Sequence, residues 1–235
     1  MELIPPTVRI ARRSAHRLIP SRYPSVGILD AVAAPADLEA VFELEGWTND
    51  RISAELGLLH DIPKEEWVVG QPMASVVMAS FCHPRPQGGR FNDGRRGAWY
   101  AAFALRTAHA EVIFHRSAEL AEIGGWFHTF VQMADYLADF AAAFHDLRDA
   151  RFARYLVPDS YDRSQRLGRE LLERGANGIV YPSVRDSAGT CIACLRPRLV
   201  GNVRTGGFYE YRWSGKREPS IRRLGGSAHW AGQLN

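Results

Sequence analysis

The sequence predicts an α+β fold in which a compact mixed sheet forms the core and helices flank it. Apolar runs typical of strands dominate the centre and the C-terminal half, and stretches with helical periodicity lie between them. Their order is not the regular β-α-β-α alternation of a doubly wound parallel sheet. A chain of 235 residues with 46% apolar and 23% charged residues is expected to be globular and to form one domain.

The predicted elements of the N-terminal third differ in type. Residues 7–19 form a short apolar and basic run that predicts a strand ending at Pro20. Acidic and apolar positions recur at helical spacing over 35–47, and residues 48–65 are predicted as short helical pieces and loop. The segment 73–81 is apolar on every side, which fits either a buried helix or a buried strand.

Glycine-rich turns punctuate the centre of the chain. Residues 89–91 and 97–102 are predicted as two strands joined by a turn at 92–94. Apolar positions then recur at helical spacing over 105–117. Residues 126–140 fit either a strand followed by a turn or a helix. The centre is therefore predicted to hold a hairpin that runs into a helix.

The C-terminal third is predicted as one helix and two strands. The helix covers 159–174 and is capped by Gly175, and strands at 177–181 and 190–195 flank a polar loop. The tail at 214–235 is rich in Gly, Ser and basic residues and is expected to be loosely ordered.

Composition narrows the classes of function. The predicted domain covers residues 1–213. A net charge of +3 is too small to indicate direct nucleic-acid binding. No apolar run reaches the length of a membrane span. The chain has three cysteines, an odd number that cannot all pair in disulfides, and this favours a location in the reducing cytoplasm. Cys191 and Cys194 lie three apart on a predicted strand, so they are expected to face opposite sides of the sheet, and no metal is expected.

The stretch GGRFNDGRRGAWYAAFALRTAHAEVIFH at 88–115 places Arg90, Tyr100 and Glu111 at intervals of ten and eleven residues. Arg90 follows Gly89, where the backbone can approach a ligand closely and its N–H groups can bind an anion. An arginine at this position can bind a phosphate through two hydrogen bonds. Tyr100 offers a ring for stacking. Glu111, about two turns into a helix, can bind a sugar hydroxyl or stabilise positive charge on a sugar ring. Together these residue types describe a nucleotide-sugar site.

Each of these residues also has an ordinary structural interpretation. An arginine after two glycines is commonly a solvated loop charge, a strand tyrosine commonly packs in the core, and a helical glutamate commonly faces water. Other chemistries have less support, because Ser183 lies in no G-x-S-x-G elbow and the chain has no P-loop motif. The residues alone leave both interpretations open.

A wider set of motifs resembles a known family. GGRFNDGRRGAWYAA and TAHAE are followed by GANGIVYPSVR, and RLIPSRYPS, WTNDR and SYDRSQRLGREL accompany them. This set resembles the RES domain, named for its Arg, Glu and Ser, which is the toxin of the Xre–RES bacterial toxin–antitoxin systems. The resemblance spans about residues 15–200. It implies an α+β fold similar to diphtheria-toxin-like ADP-ribosyltransferases and an activity that consumes NAD.

The resemblance also implies roles for single residues. Arg90 matches the arginine at the NAD phosphates or ribose, Tyr100 the tyrosine that stacks against nicotinamide, Glu111 the acid and Ser183 the C-terminal serine of the pocket. Arg17 and Arg185 are outer candidates for phosphate contacts, with a solvated surface role as the alternative. The alternative role for Ser183 is to close its own turn with its hydroxyl. The residues expected to be catalytic are Arg90, Tyr100, Glu111 and Ser183. The residues expected to contact NAD are Arg17, Gly89, Arg90, Tyr100, Ser183 and Arg185.

One carboxylate suffices for the implied reaction. The bond between nicotinamide and ribose breaks through an oxocarbenium-like state, and nicotinamide leaves as a neutral base, so Glu111 needs no second acid. The first hypothesis is a toxin that destroys NAD by hydrolysis or phosphorolysis. A protein ADP-ribosyltransferase and a non-catalytic binding module are the alternatives. The resemblance further implies an Xre-like antitoxin as partner, phosphate as a candidate co-substrate, and self-association.

Overall fold

The computed structural model describes residues 4–21 and 62–225. Within these ranges the chain forms a mixed sheet of seven strands with three α-helices beside it, which confirms the predicted α+β class. The helix predicted at 35–47, the adjoining segment at 48–61 and the end of the tail at 226–235 lie outside the described residues.

The elements follow one another in an irregular order. The strands and helices are β1 (Thr7–Pro20), α1 (Ala74–Cys82), β2 (Trp99–Ala102), α2 (Leu105–Glu122), β3 (Thr129–Asp146), α3 (Asp162–Glu173), β4 (Gly178–Pro182), β5 (Thr190–Cys194), β6 (Gly201–Trp213) and β7 (Ser220–Leu224). Short 3-10 helices lie at Lys64–Glu66, Ala150–Tyr155 and Pro197–Leu199. The element order confirms that the described chain is not a doubly wound β-α-β-α structure.

The sheet runs in the order β1-β2-β5-β4-β3-β6-β7, and β1 also pairs with β3. The strands β1, β2, β5, β4 and β3 therefore close into a ring. β3 and β4 pair in parallel, whereas β1 and β3, β2 and β5, and β4 and β5 pair antiparallel. The mixed pairing brings the ends of β2 and β4, which are far apart in sequence, to the same region of the fold.

Apolar side chains pack on both faces of this sheet. One cluster joins Trp99 and Cys194 to α1, and the other joins Cys191 and Tyr181 to α3. The prediction that Cys191 and Cys194 face opposite sides is confirmed, because successive strand residues alternate between faces. Both cysteines are buried and free.

Two segments that the pattern left open adopt one structure each. The run at 73–81 becomes α1, which is buried on nearly all sides, so it needs no polar face. The segment at 126–140 falls within β3, a strand of 18 residues. β3 can continue so far because β1 pairs with it along one edge while β6 and β4 share the other.

The hairpin predicted from 89–91 and 97–102 is wrong. Only Gly89 and Asn92 form an isolated bridge, and β2 pairs with β5 instead. The Asn92 side chain donates to the carbonyls of Asp93 and Arg96, over 2.8 and 3.0 Å, and so closes an irregular loop. Side-chain hydrogen bonds thus replace the strand ladder here.

The prediction of a loosely ordered tail from residue 214 is wrong for residues 220–224. This segment forms β7, which pairs antiparallel with β6 from Ser220 to Leu224. The sheet therefore continues past the predicted domain boundary at 213. The backbone of β6 offers an open edge, and hydrogen bonding to it does not depend on an apolar pattern in the added strand.

Candidate active site

The carboxylate of Glu111 and the hydroxyl of Ser183 lie at the centre of the candidate active site. Glu111 lies about two turns into α2, and Ser183 directly follows β4. The Ser183 Oγ donates a hydrogen bond to the Glu111 Oε1 over 2.6 Å across 72 positions of sequence. Ser183 is only 6% exposed. The structure thus joins two predicted residues through a short, partly buried hydrogen bond.

The loop that carries Ser183 is closed on itself and anchored to α2. The N–H groups of Arg185 and Asp186 each donate to the Ser183 Oγ over 3.1 Å. The Asp186 carboxylate accepts a hydrogen bond of 2.7 Å from the Thr107 Oγ1 in the first turn of α2. A Cβ on Gly189 would lie 2.5 Å from the Thr107 side chain. The loop and the helix therefore hold each other in place.

Two buried side chains lie close to the carboxylate. The Cys191 Sγ lies 3.9 Å from the Glu111 Oε1. Burial, followed by the charge of Glu111, raises the pKa of the Cys191 thiol. Burial likewise raises the pKa of Tyr181 well above its usual value, and Cys191 and Glu111 add to the effect. Both groups are therefore neutral at physiological pH and place no second charge beside Glu111.

Arg90 is 7% exposed, which excludes a solvated loop charge. Its Nη1 donates to the Val157 carbonyl over 2.9 Å. Its guanidinium carbon lies 4.6 Å from the centroid of the Tyr161 ring. A guanidinium has several donors in one plane, and the described residues give that of Arg90 no further hydrogen bond. Its other donors can therefore bind an anion.

Tyr100 lies on β2, as predicted, and its hydroxyl is fully engaged. The hydroxyl accepts from the Phe91 N–H over 2.8 Å and donates to the Asn92 Oδ1 over 2.7 Å. Burial raises the pKa of Tyr100, against the lowering effect of the Phe91 hydrogen bond and of nearby Arg90 and Arg17. The phenol is thus neutral, and its ring rather than its hydroxyl remains for a ligand.

The prediction that Gly89 contributes to an anion-binding nest is wrong. The Gly89 N–H donates to the Asn92 carbonyl over 2.9 Å, and the Gly88 N–H donates to the Arg85 carbonyl over 2.8 Å. Neither N–H is therefore free for an anion. A Cβ on Gly89 would lie 2.7 Å from the Tyr100 hydroxyl, so the glycine is required to make room for that side chain.

Arg17 lies where β1 and β2 separate. These strands pair only at His16 and Ala102. Next to that pair, the Arg17 Nη1 donates to the Tyr100 carbonyl over 3.2 Å, and the guanidinium lies 4.9 Å from the Trp99 ring centroid. Burial lowers the pKa of Arg17 to about 10. The guanidinium is thus embedded beside Tyr100 rather than solvated.

Arg185 reaches the site from the Ser183 loop. Its Nη2 donates to the Pro158 carbonyl over 2.8 Å. Its guanidinium lies over the Phe114 ring on α2, 3.1 Å from the centroid. Burial lowers the pKa of Arg185, while the nearby Tyr161 and Glu111 raise it. Arg185 therefore lies close enough to the carboxylate for their charges to interact.

Four residues of the site were not predicted from the sequence as site residues. Phe114 and His115 follow Glu111 at the spacing of one helical face, which is a signal that could have found them. Burial, then the charges of neighbouring arginines, lower the pKa of His115 to about 4. Cys191 lies on a predicted strand, and nothing in its spacing indicates a site residue. Tyr161 carries no sequence signal because its contact with the site depends on tertiary structure.

The described part of the chain contains no group of three or more His, Cys, Asp or Glu side chains placed to hold a metal ion. Nor does any helix within residues 4–21 and 62–225 combine the length and the apolar character that a membrane-spanning helix needs.

Comparison with known proteins identifies the family. The model of the RES domain matches residues 59–214, which is more than half of the chain. The chain belongs to the RES domain family. This RES domain protein is similar to the uncharacterized protein y4oC of Sinorhizobium fredii, with 31% identity over 209 residues that cover 86% of this chain and 84% of that protein.

A solved structure is also similar to the RES domain protein over most of its length. It is the crystal structure of the M. tuberculosis MbcT–MbcA toxin–antitoxin complex, with a TM-score of 0.46 and 12% identity over 89% of this chain and 87% of that chain. The family membership stands on the matched residues 59–214 and on the curated relative.

Proposed function

We propose that this protein is the toxin of a bacterial toxin–antitoxin system and that it depletes NAD by cleaving the bond between nicotinamide and ribose. The observation that carries the proposal is the 2.6 Å hydrogen bond from the buried Ser183 hydroxyl to the Glu111 carboxylate. This hydrogen bond holds the Glu111 carboxylate among arginines and aromatic rings, and these are the groups that the cleavage of a dinucleotide needs. Membership of the RES family supplies the substrate class.

In the proposed reaction the C–N bond breaks and both of its electrons leave with nicotinamide, which becomes a neutral base. Positive charge develops on the ribose, and the Glu111 carboxylate stabilises it. Water or phosphate then attacks the same carbon and loses a proton to solvent or to the carboxylate. No general acid is needed for the leaving group.

The other predicted residues have separate tasks in this proposal. Arg90 is buried and keeps guanidinium donors for the diphosphate of NAD, where a planar fork can bind two oxygens at once. Tyr100 offers its ring to the nicotinamide, because its hydroxyl is already engaged. Arg17, beside Tyr100, and Arg185, beside Phe114, add positive charge. Gly89 serves the packing of Tyr100 rather than the ligand.

An Xre-like antitoxin is proposed as partner from the family alone. Its expected effect is a loss of NAD cleavage on complex formation, measured by titrating the purified antitoxin into the assay. A complex that keeps full activity would contradict the proposed antitoxin partner and would leave the proposed cleavage of NAD standing.

The experiment that tests the activity is NAD turnover by purified protein, with and without phosphate, with the products resolved by chromatography. Nicotinamide plus ADP-ribose supports hydrolysis, and a phosphorylated ADP-ribose that appears only with phosphate supports phosphorolysis. Label that passes from NAD to protein instead supports the ADP-ribosyltransferase. NAD that stays intact without protein labelling contradicts the proposed activity.

A further inference from the structure

The segment Val157–Tyr161, between the 3-10 helix at Ala150–Tyr155 and α3, contacts two arginines of the candidate site, Arg90 and Arg185. Arg90 donates to the Val157 carbonyl over 2.9 Å, and Arg185 donates to the next carbonyl, that of Pro158, over 2.8 Å. The two arginines come from distant parts of the sequence. One short stretch of backbone therefore fixes one donor of each.

The Tyr161 ring adds a third contact from the same segment. It lies against the Arg90 guanidinium at 4.6 Å, and it belongs to none of the apolar clusters of the described residues. Tyr161 precedes α3 but its side chain forms no capping hydrogen bond. Neither core packing nor capping explains an aromatic ring at this position, whereas contact with Arg90 does.

These contacts restrict the orientation of the Arg90 guanidinium but do not use all of its hydrogen-bond donors. A carbonyl binds one edge of the guanidinium and a ring covers one face, so the plane can no longer rotate freely. The remaining donors of the fork then point in a fixed direction, which favours a bidentate contact with an anion. Tyr161 also influences the pKa values of Tyr100 and Arg185, so its phenol lies near the other site residues.

We propose that Val157–Tyr161 is the wall that orients the site's arginines, and that Tyr161 is a positioning residue that acts through Arg90 on the diphosphate of the ligand. This inference rests on the proposed function, because it takes NAD as the ligand. A ligand that must pre-order a mobile arginine binds more weakly than one that meets an arginine already held in place. Tyr161 should therefore affect ligand affinity rather than the chemical step.

The first test compares Tyr161→Leu and Tyr161→Phe in NAD turnover. Tyr161→Leu removes the ring from Arg90, and we expect KM to rise about five- to tenfold with kcat within about twofold of wild type. Tyr161→Phe keeps the ring and should restore KM. The matched control is Phe130→Leu, which removes an exposed ring that lies 5.2 Å from Arg212 on β6. A Tyr161→Leu enzyme with unchanged KM, or with a lowered kcat alone, overturns the proposal.

The second test measures binding of ADP-ribose by calorimetry and so does not depend on turnover. Tyr161→Leu is expected to weaken binding about five- to tenfold in the wild-type background and less than about twofold in an Arg90→Lys background. Equal losses in both backgrounds would show that Tyr161 does not act through Arg90.

The two proposals fail in different ways. Wild-type protein that binds ADP-ribose but leaves NAD intact contradicts the proposed activity, and the calorimetric comparison then still decides the role of Tyr161. Wild-type protein that cleaves NAD, with variants that follow none of the expected pattern, contradicts only the positioning role. Wild-type protein that binds neither compound contradicts both.

Discussion

Ser183→Ala separates the two roles that the Ser183 hydroxyl combines. The hydroxyl donates to the Glu111 carboxylate over 2.6 Å and accepts the N–H groups of Arg185 and Asp186. Alanine removes all three hydrogen bonds but leaves the backbone intact. The carboxylate then loses a buried donor, and the loop loses the acceptor at its turn.

The structure allows both costs of Ser183→Ala to be worked out. A hydrogen bond to a charged acceptor contributes about 1.5–3 kcal/mol, and the turn N–H groups of the loop can turn to water. We therefore expect the free energy of unfolding to fall by about 2 kcal/mol, which lowers Tm by about 4–8 °C in a chain of this size. If the same hydrogen bond orients Glu111 in the transition state, kcat/KM for NAD falls about ten- to a hundredfold.

The assay is nicotinamide release at saturating and limiting NAD, together with a thermal melt. Ser117→Ala is the matched control, because Ser117 is a buried serine on α2 whose hydroxyl also forms hydrogen bonds. The Ser117 Oγ donates to the Arg217 carbonyl and accepts from the Trp213 Nε1. This control should lower Tm comparably and leave NAD cleavage unchanged. If Ser183→Ala instead cleaves NAD like wild type, the hydroxyl only closes its turn, and the reasoning about Glu111 is refuted.

Three further substitutions test contacts that stabilise the fold. Glu66→Gln removes the charge of a largely buried carboxylate that forms ion pairs with Arg96 and Arg196. The free energy of unfolding, measured by chemical denaturation, should fall by about 3–5 kcal/mol. Gly168→Ala should lower Tm although alanine favours helices, because a Cβ would lie 2.0 Å from the Phe91 carbonyl. The pKa of His115 is lowered from 6.5 to about 4, so the unfolded chain binds the proton first. Stability should therefore fall by up to about 3 kcal/mol as the pH drops through this window, and His115→Gln should flatten that fall.

Each of these substitutions has a matched control. Arg169→Gln breaks an exposed ion pair with Asp93 and should change stability by less than about 1 kcal/mol. Gly225→Ala places its Cβ in open space and should leave Tm unchanged. His128→Gln replaces an exposed histidine and should leave the pH dependence as it is. A control that matches its test variant would contradict the corresponding argument.

The sequence predicted the central pair of the site because its motifs coincide with regular elements. Glu111 lies on a helix with clear periodicity, and Ser183 follows an apolar strand whose end is marked by proline and polar residues. Their meeting required a pairing of β2, β4 and β5 that periodicity does not encode. The family resemblance supplied that link, and the hydrogen bond between the two residues is consistent with it.

Where the sequence failed, tertiary contacts outweighed local signals. The turn at 92–94 suggested a hairpin, but the Asn92 side chain and β5 compete for the backbone groups that a hairpin would use. The glycines before Arg90 suggested an anion nest, but their N–H groups are bonded within the loop. Tyr161 has no local signal, since its position against Arg90 arises only when α3 packs beside the sheet. β7 was missed because an edge strand needs little apolar pattern.

The most direct test of the central claim is the rate of nicotinamide release from NAD by wild-type protein and by Glu111→Gln. Glutamine keeps the shape of the side chain but removes the charge that stabilises the developing positive ribose. Glu122→Gln, the same change at the exposed end of α2, is the control. The account predicts cleavage by wild type and by Glu122→Gln, with a loss of about a hundredfold or more in Glu111→Gln protein that a thermal melt shows to be folded. A folded Glu111→Gln protein that releases nicotinamide at the wild-type rate would contradict it.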